Sequence, residues 1–410
     1  MKTKTYKNGL VLLYEKNTTD RIDSFQINVL TGSALETQRQ CGINHLVEHL
    51  VFKSSFKRST REISEELERH GAIVNAWTNY DNVCFYFHCT PNKIDVCAEI
   101  YADMLFNKDI TPEEFKKEKL VVCQELAMYK DNYEATNEEN YFNYFWNMKP
   151  VGGTIESVEK ITLDQVNKFM EKRYVPANMV VSVCSSLSFR KIQKIVEKHF
   201  GRKETPYDYL DLRNEWKERL SFKRGHLGEK FLETKKTSQV QVLHAFYLPK
   251  QYTAINNYYT DLLTCGLSSI LFREIREEHG LCYSIHSEDV VFYPSIFNET
   301  TNVLLIESSM ESKNLKKYLQ VLPEVMKNLP FLLTDNDVEK AINTQDTIGI
   351  KSNDIASDMF YKFCNQNKYK SLIEEKKYIK KHAKEEAKRG MEILQHARYD
   401  IAILGNVKKV

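Results

Sequence analysis

His45-Leu46-Val47-Glu48-His49 is the stretch on which the reading of this 410-residue chain turns. Histidines four apart stand one turn above the other on a helix face, so both imidazoles can reach a single metal ion. Glu48, three residues after the first histidine, projects to nearly the same side. It can hold a water against that metal without being a ligand itself.

The order H-x-x-E-H reverses the H-E-x-x-H motif of zinc proteases. A catalytic zinc keeps three protein ligands and one open position, so a third ligand is needed. The segment Glu118-Lys-Leu-Val-Val-Cys-Gln-Glu125 offers two carboxylates seven apart, which share a helix face. One can bind metal while the other orients a ligand from behind. Glu125 is the candidate ligand.

With these stretches in view, the chain resembles the insulinase (pitrilysin) family of zinc peptidases, which includes mitochondrial processing peptidase. The resemblance runs through Gly32-Ser33-Ala34-Leu35-Glu36, then Gly42-Ile-Asn-His45 to His49-Leu-Val-Phe-Lys, then Arg58-Ser59. It continues in Leu67-Glu-Arg-His-Gly71-Ala-Ile-Val-Asn75-Ala76-Trp77-Thr78, the paired glutamates, Gly153-Thr154, Val158 to Thr162, and Tyr174-Val-Pro-Ala-Asn178. It implies one zinc ion per chain, held by His45, His49 and Glu125, with Glu48 as general base and Glu118 supporting the ligands. Asn75 and Ala76 match residues that contact substrate, and Thr78 lies in the same extended segment, suited to pairing with a peptide as an added strand. Arg276 and Tyr283 match an Arg/Tyr pair that binds substrate backbone and steadies the oxyanion.

The activity so implied is zinc-dependent endopeptidase cleavage of peptides or small unfolded polypeptides inside a closed chamber. The alternatives are a leader-peptide processing enzyme and a non-catalytic subunit of a heterodimeric peptidase. Longer family members carry the zinc and the Arg/Tyr pair on different halves of a four-domain chain. A two-domain chain bearing both is expected to form a homodimer that completes its sites in trans, or a heterodimer with a homologue. Three stretches depart from the family pattern: Ile43-Asn44, Lys53-Ser54-Ser55, and the aromatic-rich segment Tyr141 to Met148.

Forty-two per cent apolar residues can fill large cores, and the length suggests at least two domains. A formal charge of +2 gives no long-range field that would attract nucleic acid. The nine cysteines include no C-x-x-C pair and read as reduced thiols. The N-terminal apolar run is too short for a signal peptide. No stretch approaches the roughly 20 apolar residues of a membrane helix. A cytoplasmic protein without membrane contact is expected.

The chain also repeats itself after about 200 residues. A helical stretch ending in His70-Gly71 is matched by one ending in His279-Gly280. The run Cys84-Phe-Tyr-Phe-His-Cys is matched by Val303-Leu-Leu-Ile-Glu-Ser, and Asn178 to Cys184 by Tyr399 to Gly405. Thr111-Pro112 and Asp335 open equivalent helices. The expected organisation is α+β: a zinc-binding domain at 1–200, a polar linker at 201–227, and a homologous second domain at 228–410. Each domain is expected to be an antiparallel sheet layered with helices. The second domain carries Arg276 and Tyr283 and no metal, because its counterpart of the histidine helix, read as Thr264 to Phe272, offers no ligand.

Overall fold

The computed structural model describes residues 1–205, 211–212, 214–216, 228–249, 258–291, 300–364 and 370–407. They form two units. The first comprises Met1–Met128, Met148–Ser221 and Ile350–Ser371; the second comprises Tyr129–Asn147, Phe222–Gly349 and Leu372–Val410.

The first unit is built on β1 (Lys2–Thr5), β2 (Val11–Lys16), β3 (Asp23–Val29), β4 (Ile73–Thr78), β5 (Val83–Cys89) and β6 (Met179–Ser185), in the order β1-β2-β6-β3-β5-β4. Only β2 and β6 run parallel. Side chains alternate across a strand. Phe25, Ile27 and Val29 of β3 therefore enter the apolar core, where Phe25 stacks on Phe87 with ring centroids 4.9 Å apart. Ser24, Gln26 and Asn28 of the same strand are buried too. The helix Ser352–Cys364 packs on this sheet, where Gln26 Nε2 donates to Asn353 Oδ1 at 2.8 Å and to Ser357 Oγ at 2.9 Å.

The second unit holds β7 (Lys230–Thr234), β8 (Val240–Pro249), β9 (Ser284–Val291), β10 (Thr300–Met310) and β11 (Tyr399–Gly405), in the order β7-β11-β8-β10-β9. This is the order and direction of β2-β6-β3-β5-β4, with β7 and β11 as the parallel pair. The matched sequence runs are thus β5 with β10 and β6 with β11. Thr111 and Thr334 cap the paired helices Pro112–Tyr129 and Asp335–Ile348, each reciprocally with a carboxylate three residues on. Gly71 and Gly280 close equivalent helices with φ of 65° and 58°, a conformation that a side chain would strain.

The contiguous halves 1–200 and 228–410 are not the units of the structure. The helix Tyr133–Trp146 of the first half belongs to the second unit, and Ser352–Cys364 of the second half belongs to the first. Hydrophobic periodicity says that a helix face is buried, not which sheet buries it. The aromatic segment near Tyr141 finds its reason here. Trp146 Nε1 donates to Tyr141 Oη at 2.9 Å, and Tyr141 Oη meets Tyr247 Oη at 2.8 Å. Tyr247 in turn donates to Asp400, a buried β11 carboxylate.

Two further expectations change. Residues 206–210, 213 and 217–227 of the linker lie outside the described residues. Its described part packs on the first unit: Leu212 and Trp216 are buried, and Trp216 Nε1 donates to Asp81 O at 2.7 Å. The counterpart of the histidine helix is Tyr258–Thr264, not Thr264 to Phe272. Gly266 to Ser269 form a turn instead, with Ser269 N bonded to Gly266 O at 3.1 Å. Among the described residues, no helix is long and apolar enough to cross a membrane.

Trp146→Ala is expected to weaken the second unit by about 3–5 kcal/mol, the range for deleting a buried tryptophan. Hydrogen exchange should show lost protection in β8 and β11, with β3 and β6 unchanged.

Candidate metal centre

The helix Ile43–Val51 buries Ile43, Leu46, Val47, Leu50 and Val51 and leaves His45, Glu48 and His49 half-buried on its other side. Its ends are fixed by ionisable side chains from elsewhere in the chain. The buried Glu36 carboxylate accepts from Gly42 N at 2.7 Å, Asn44 N at 2.9 Å and Asn44 Nδ2 at 2.9 Å. These are amides that the first helical turn leaves without partners. At the other end Lys108 Nζ donates to Val51 O at 2.7 Å and Lys53 O at 2.6 Å. Gly42 begins the helix with φ of 91°, and Gly153 lies so close that a Cβ there would sit 2.7 Å from Gly42 Cα. That contact explains why Gly153-Thr154 reads as part of the site.

The second contributor is the helix Pro112–Tyr129. Glu118 Oε1 accepts from His49 Nδ1 at 2.9 Å, and Glu118 Oε2 pairs with Lys53 Nζ at 2.6 Å. With Nδ1 engaged, His49 presents Nε2 on its other side, 3.2 Å from Glu125 Oε2. His45 Nε2 lies 3.8 Å from Glu125 Oε1. The ligand atoms of His45, His49 and Glu125 all fall within 4.8 Å of one another. Two imidazoles and a carboxylate are a donor set of catalytic zinc, and a carboxylate behind one imidazole is its usual support. The residues fit the ion.

The electrostatics differ between the two histidines. Burial, aided by the charge of His49, pulls His45 down to about 4. Burial also pulls His49 down, but the Glu118 bond and the charges of Glu125 and Glu48 outweigh it and hold His49 above its ordinary value. Burial raises the Glu48 carboxyl, opposed by a hydrogen bond from Thr78. That bond runs from Thr78 Oγ1 to Glu48 Oε2 at 2.6 Å.

The other expected residues divide between the units. Asn75, Ala76 and Thr78 lie on β4, at the edge of the first sheet. Asn75 is exposed, and its Oδ1 accepts from Ala76 N at 2.9 Å. Arg276 and Tyr283 lie in the second unit and meet each other, with the guanidinium 5.5 Å from the phenol ring centroid. Tyr283 is 72 % exposed, so it is not a core residue, and among the described residues Arg276 has an ion-pair approach to Glu277 alone, at 3.9 Å.

The parts absent from the sequence reading are Glu36 as a cap, Lys108 as its opposite, and Glu114. Glu114 accepts from Thr60 Oγ1 at 2.9 Å and Thr111 N at 3.1 Å, and also from Ser54 Oγ, joining the segment after the histidine helix to the start of the glutamate helix. The capping pattern T-x-x-E at Thr111 was the one signal available for it.

Comparison with known proteins places the chain in a family. Residues 11–158 match the insulinase family (peptidase family M16), and residues 160–345 match the family described as the peptidase M16 inactive domain. An uncharacterised zinc protease of Bacillus subtilis is 30% identical over 337 residues, 80% of this chain and 78% of that protein. A probable mitochondrial-processing peptidase subunit beta of Schizosaccharomyces pombe is 28% identical over 218 residues, 51% of this chain and 47% of its own length. The crystal structure of a protease from Helicobacter pylori shares the fold, with a TM-score of 0.78, 19% identity and 98% of each chain covered. The class defined by fold and site is that of the inverted-motif zinc peptidases, α+β proteins made of two homologous domains. This chain belongs to the insulinase family.

Glu118→Ala should lower zinc affinity roughly 10- to 100-fold, the usual cost of losing a partner behind a ligand. Titration against a chromogenic chelator measures it. An unchanged affinity would mean that Glu118 does not orient His49.

Proposed function

We propose that this chain is a zinc-dependent endopeptidase acting on extended peptides or small unfolded polypeptides in a closed chamber. The observation that carries the reading is the meeting of His45, His49 and Glu125 with Glu48 beside them on one helix. Zinc held by these ligands would supply Lewis acidity to the scissile carbonyl and to the attacking water. Glu48 accepts the proton of that water and returns it to the departing amine. β4 receives the peptide as an added strand, with Asn75 and Ala76 along its path. Arg276 and Tyr283 bind substrate backbone and offer a cation and a phenol to the developing oxyanion.

The assembled donor set speaks against a purely structural subunit. All nine cysteines are free, which supports a reducing compartment, the cytoplasm. We place the chain in a homodimer, with a heterodimer as the other arrangement, in keeping with a relative named as a subunit.

Glu48→Gln should retain zinc by metal analysis and lose roughly 10²- to 10⁴-fold of its turnover on a quenched peptide library. Retained turnover would remove Glu48 from the chemistry. Mixing an Arg276→Ala chain with a Glu48→Gln chain tests completion in trans. Recovery of activity on mixing is expected, and none would confine each site to its own chain.

A further inference from the structure

Thr78 was expected to touch substrate, but its hydroxyl is engaged elsewhere. The Oγ1 proton goes to Glu48 Oε2 at 2.6 Å, within the range of a hydrogen bond to a charged acceptor. A threonine hydroxyl has a single proton to donate. Among the described residues, no side chain donates to Glu48 Oε1. One oxygen of the carboxylate is therefore fixed and the other remains open. Glu48 stands on a helix and Thr78 on the neighbouring edge strand, so the bond joins two elements. A β-branched residue at the end of a paired strand has few rotamers, which makes it a stiff support. The register fixes it further, opposite the buried Val83.

We propose that Thr78 is a positioning residue for the general base: its hydroxyl holds Oε2 of Glu48 so that Oε1 meets the attacking water. This rests on the peptidase reading above. The role differs from substrate binding in what it predicts. A substrate contact acts on KM, whereas a support for the base acts on kcat.

The test compares Thr78→Val and Thr78→Ser in the zinc-loaded chain. Thr78→Val keeps the shape and removes the proton donor. It should lower kcat roughly 10- to 100-fold, the worth of one hydrogen bond to a charged group. KM and zinc affinity should stay within about twofold, since no ligand is touched. Thr78→Ser, which restores the hydroxyl, should recover most of kcat. A second readout is independent of turnover: the effects of Thr78→Val and Glu48→Ala on the unfolding midpoint should be non-additive. Full kcat in Thr78→Val beside an inactive Glu48→Gln chain would overturn the positioning role and leave the peptidase reading standing. So would a rise in KM alone, a matching loss of zinc affinity, or strict additivity. Full turnover in Glu48→Gln would strike the catalytic reading instead.

Discussion

The site depends on a nine-residue helix held at both ends by hydrogen bonds to buried ionisable side chains. A segment of that length does not stay helical in water, because its nucleation cost outweighs the few bonds it makes. Its first amides and last carbonyls also lack partners of their own. Glu36 supplies acceptors at the amino end, and Lys108 supplies donors at the carboxyl end. In its charged form each complements the helix dipole at its own terminus, while burial works against that charge and brings Glu36 up, and Lys108 down, to about 7. With the ends fixed and one face packed in the core, the three polar residues of the other face lose their freedom. The glutamate helix then needs only to present its own face, and Glu118 and Glu125 arrive together.

What the sequence showed follows from how local each feature is. His45 and His49 share a face by helix geometry alone, and so do Glu118 and Glu125. Their meeting across two helices was legible only through the family pattern. Glu36 and Lys108 act at the same helix but lie outside it, Lys108 being 57 residues from the carbonyl of Val51 that it caps. No local pattern connects such partners. The exchange of helices between units was hidden for a related reason. Tyr141, Phe142, Phe145 and Trp146 announce a buried face, and the repeat gave no sign that it joins β8 and β11.

The two units also differ at the position where the first gathers its two histidines. Where the first unit places His45 and His49, the second has the helix Tyr258–Thr264. Its tyrosines point into packing. Tyr258 Oη donates to Ala383 O at 3.0 Å, and Tyr259 Oη to Glu386 Oε2 at 3.2 Å. Gly390 makes room for the second ring, since a Cβ there would lie 2.0 Å from Tyr259 Cε1. A convergence of donors among the described residues of this unit, Glu134, His286 and Glu307, ties the helix Tyr133–Trp146 to β9 and β10, with His286 Nε2 at 3.2 Å and 2.8 Å from the two carboxylates. Among the described residues no carboxylate bonds the other nitrogen of this imidazole, as Glu118 does for His49, and it stands half in solvent.

Edge strands carry unpaired amides that invite other chains. β4 is such an edge, with Ile73 60 % exposed, and it lies beside the histidine helix. One of its amides is already occupied: Ala76 N donates to Asn75 Oδ1 at 2.9 Å. A short side chain folding back on the next amide is a familiar local competitor of sheet pairing. A peptide laid along this edge must compete with Asn75 for that amide or use the others. Asn75 therefore shields part of the strand edge. Thr78, at the end of the same strand, spends its hydroxyl proton on Glu48. The exposed edge and the hydroxyl bonded to Glu48 thus belong to one continuous strand, so under the proposed function a peptide paired along the edge and the carboxylate would share a single support.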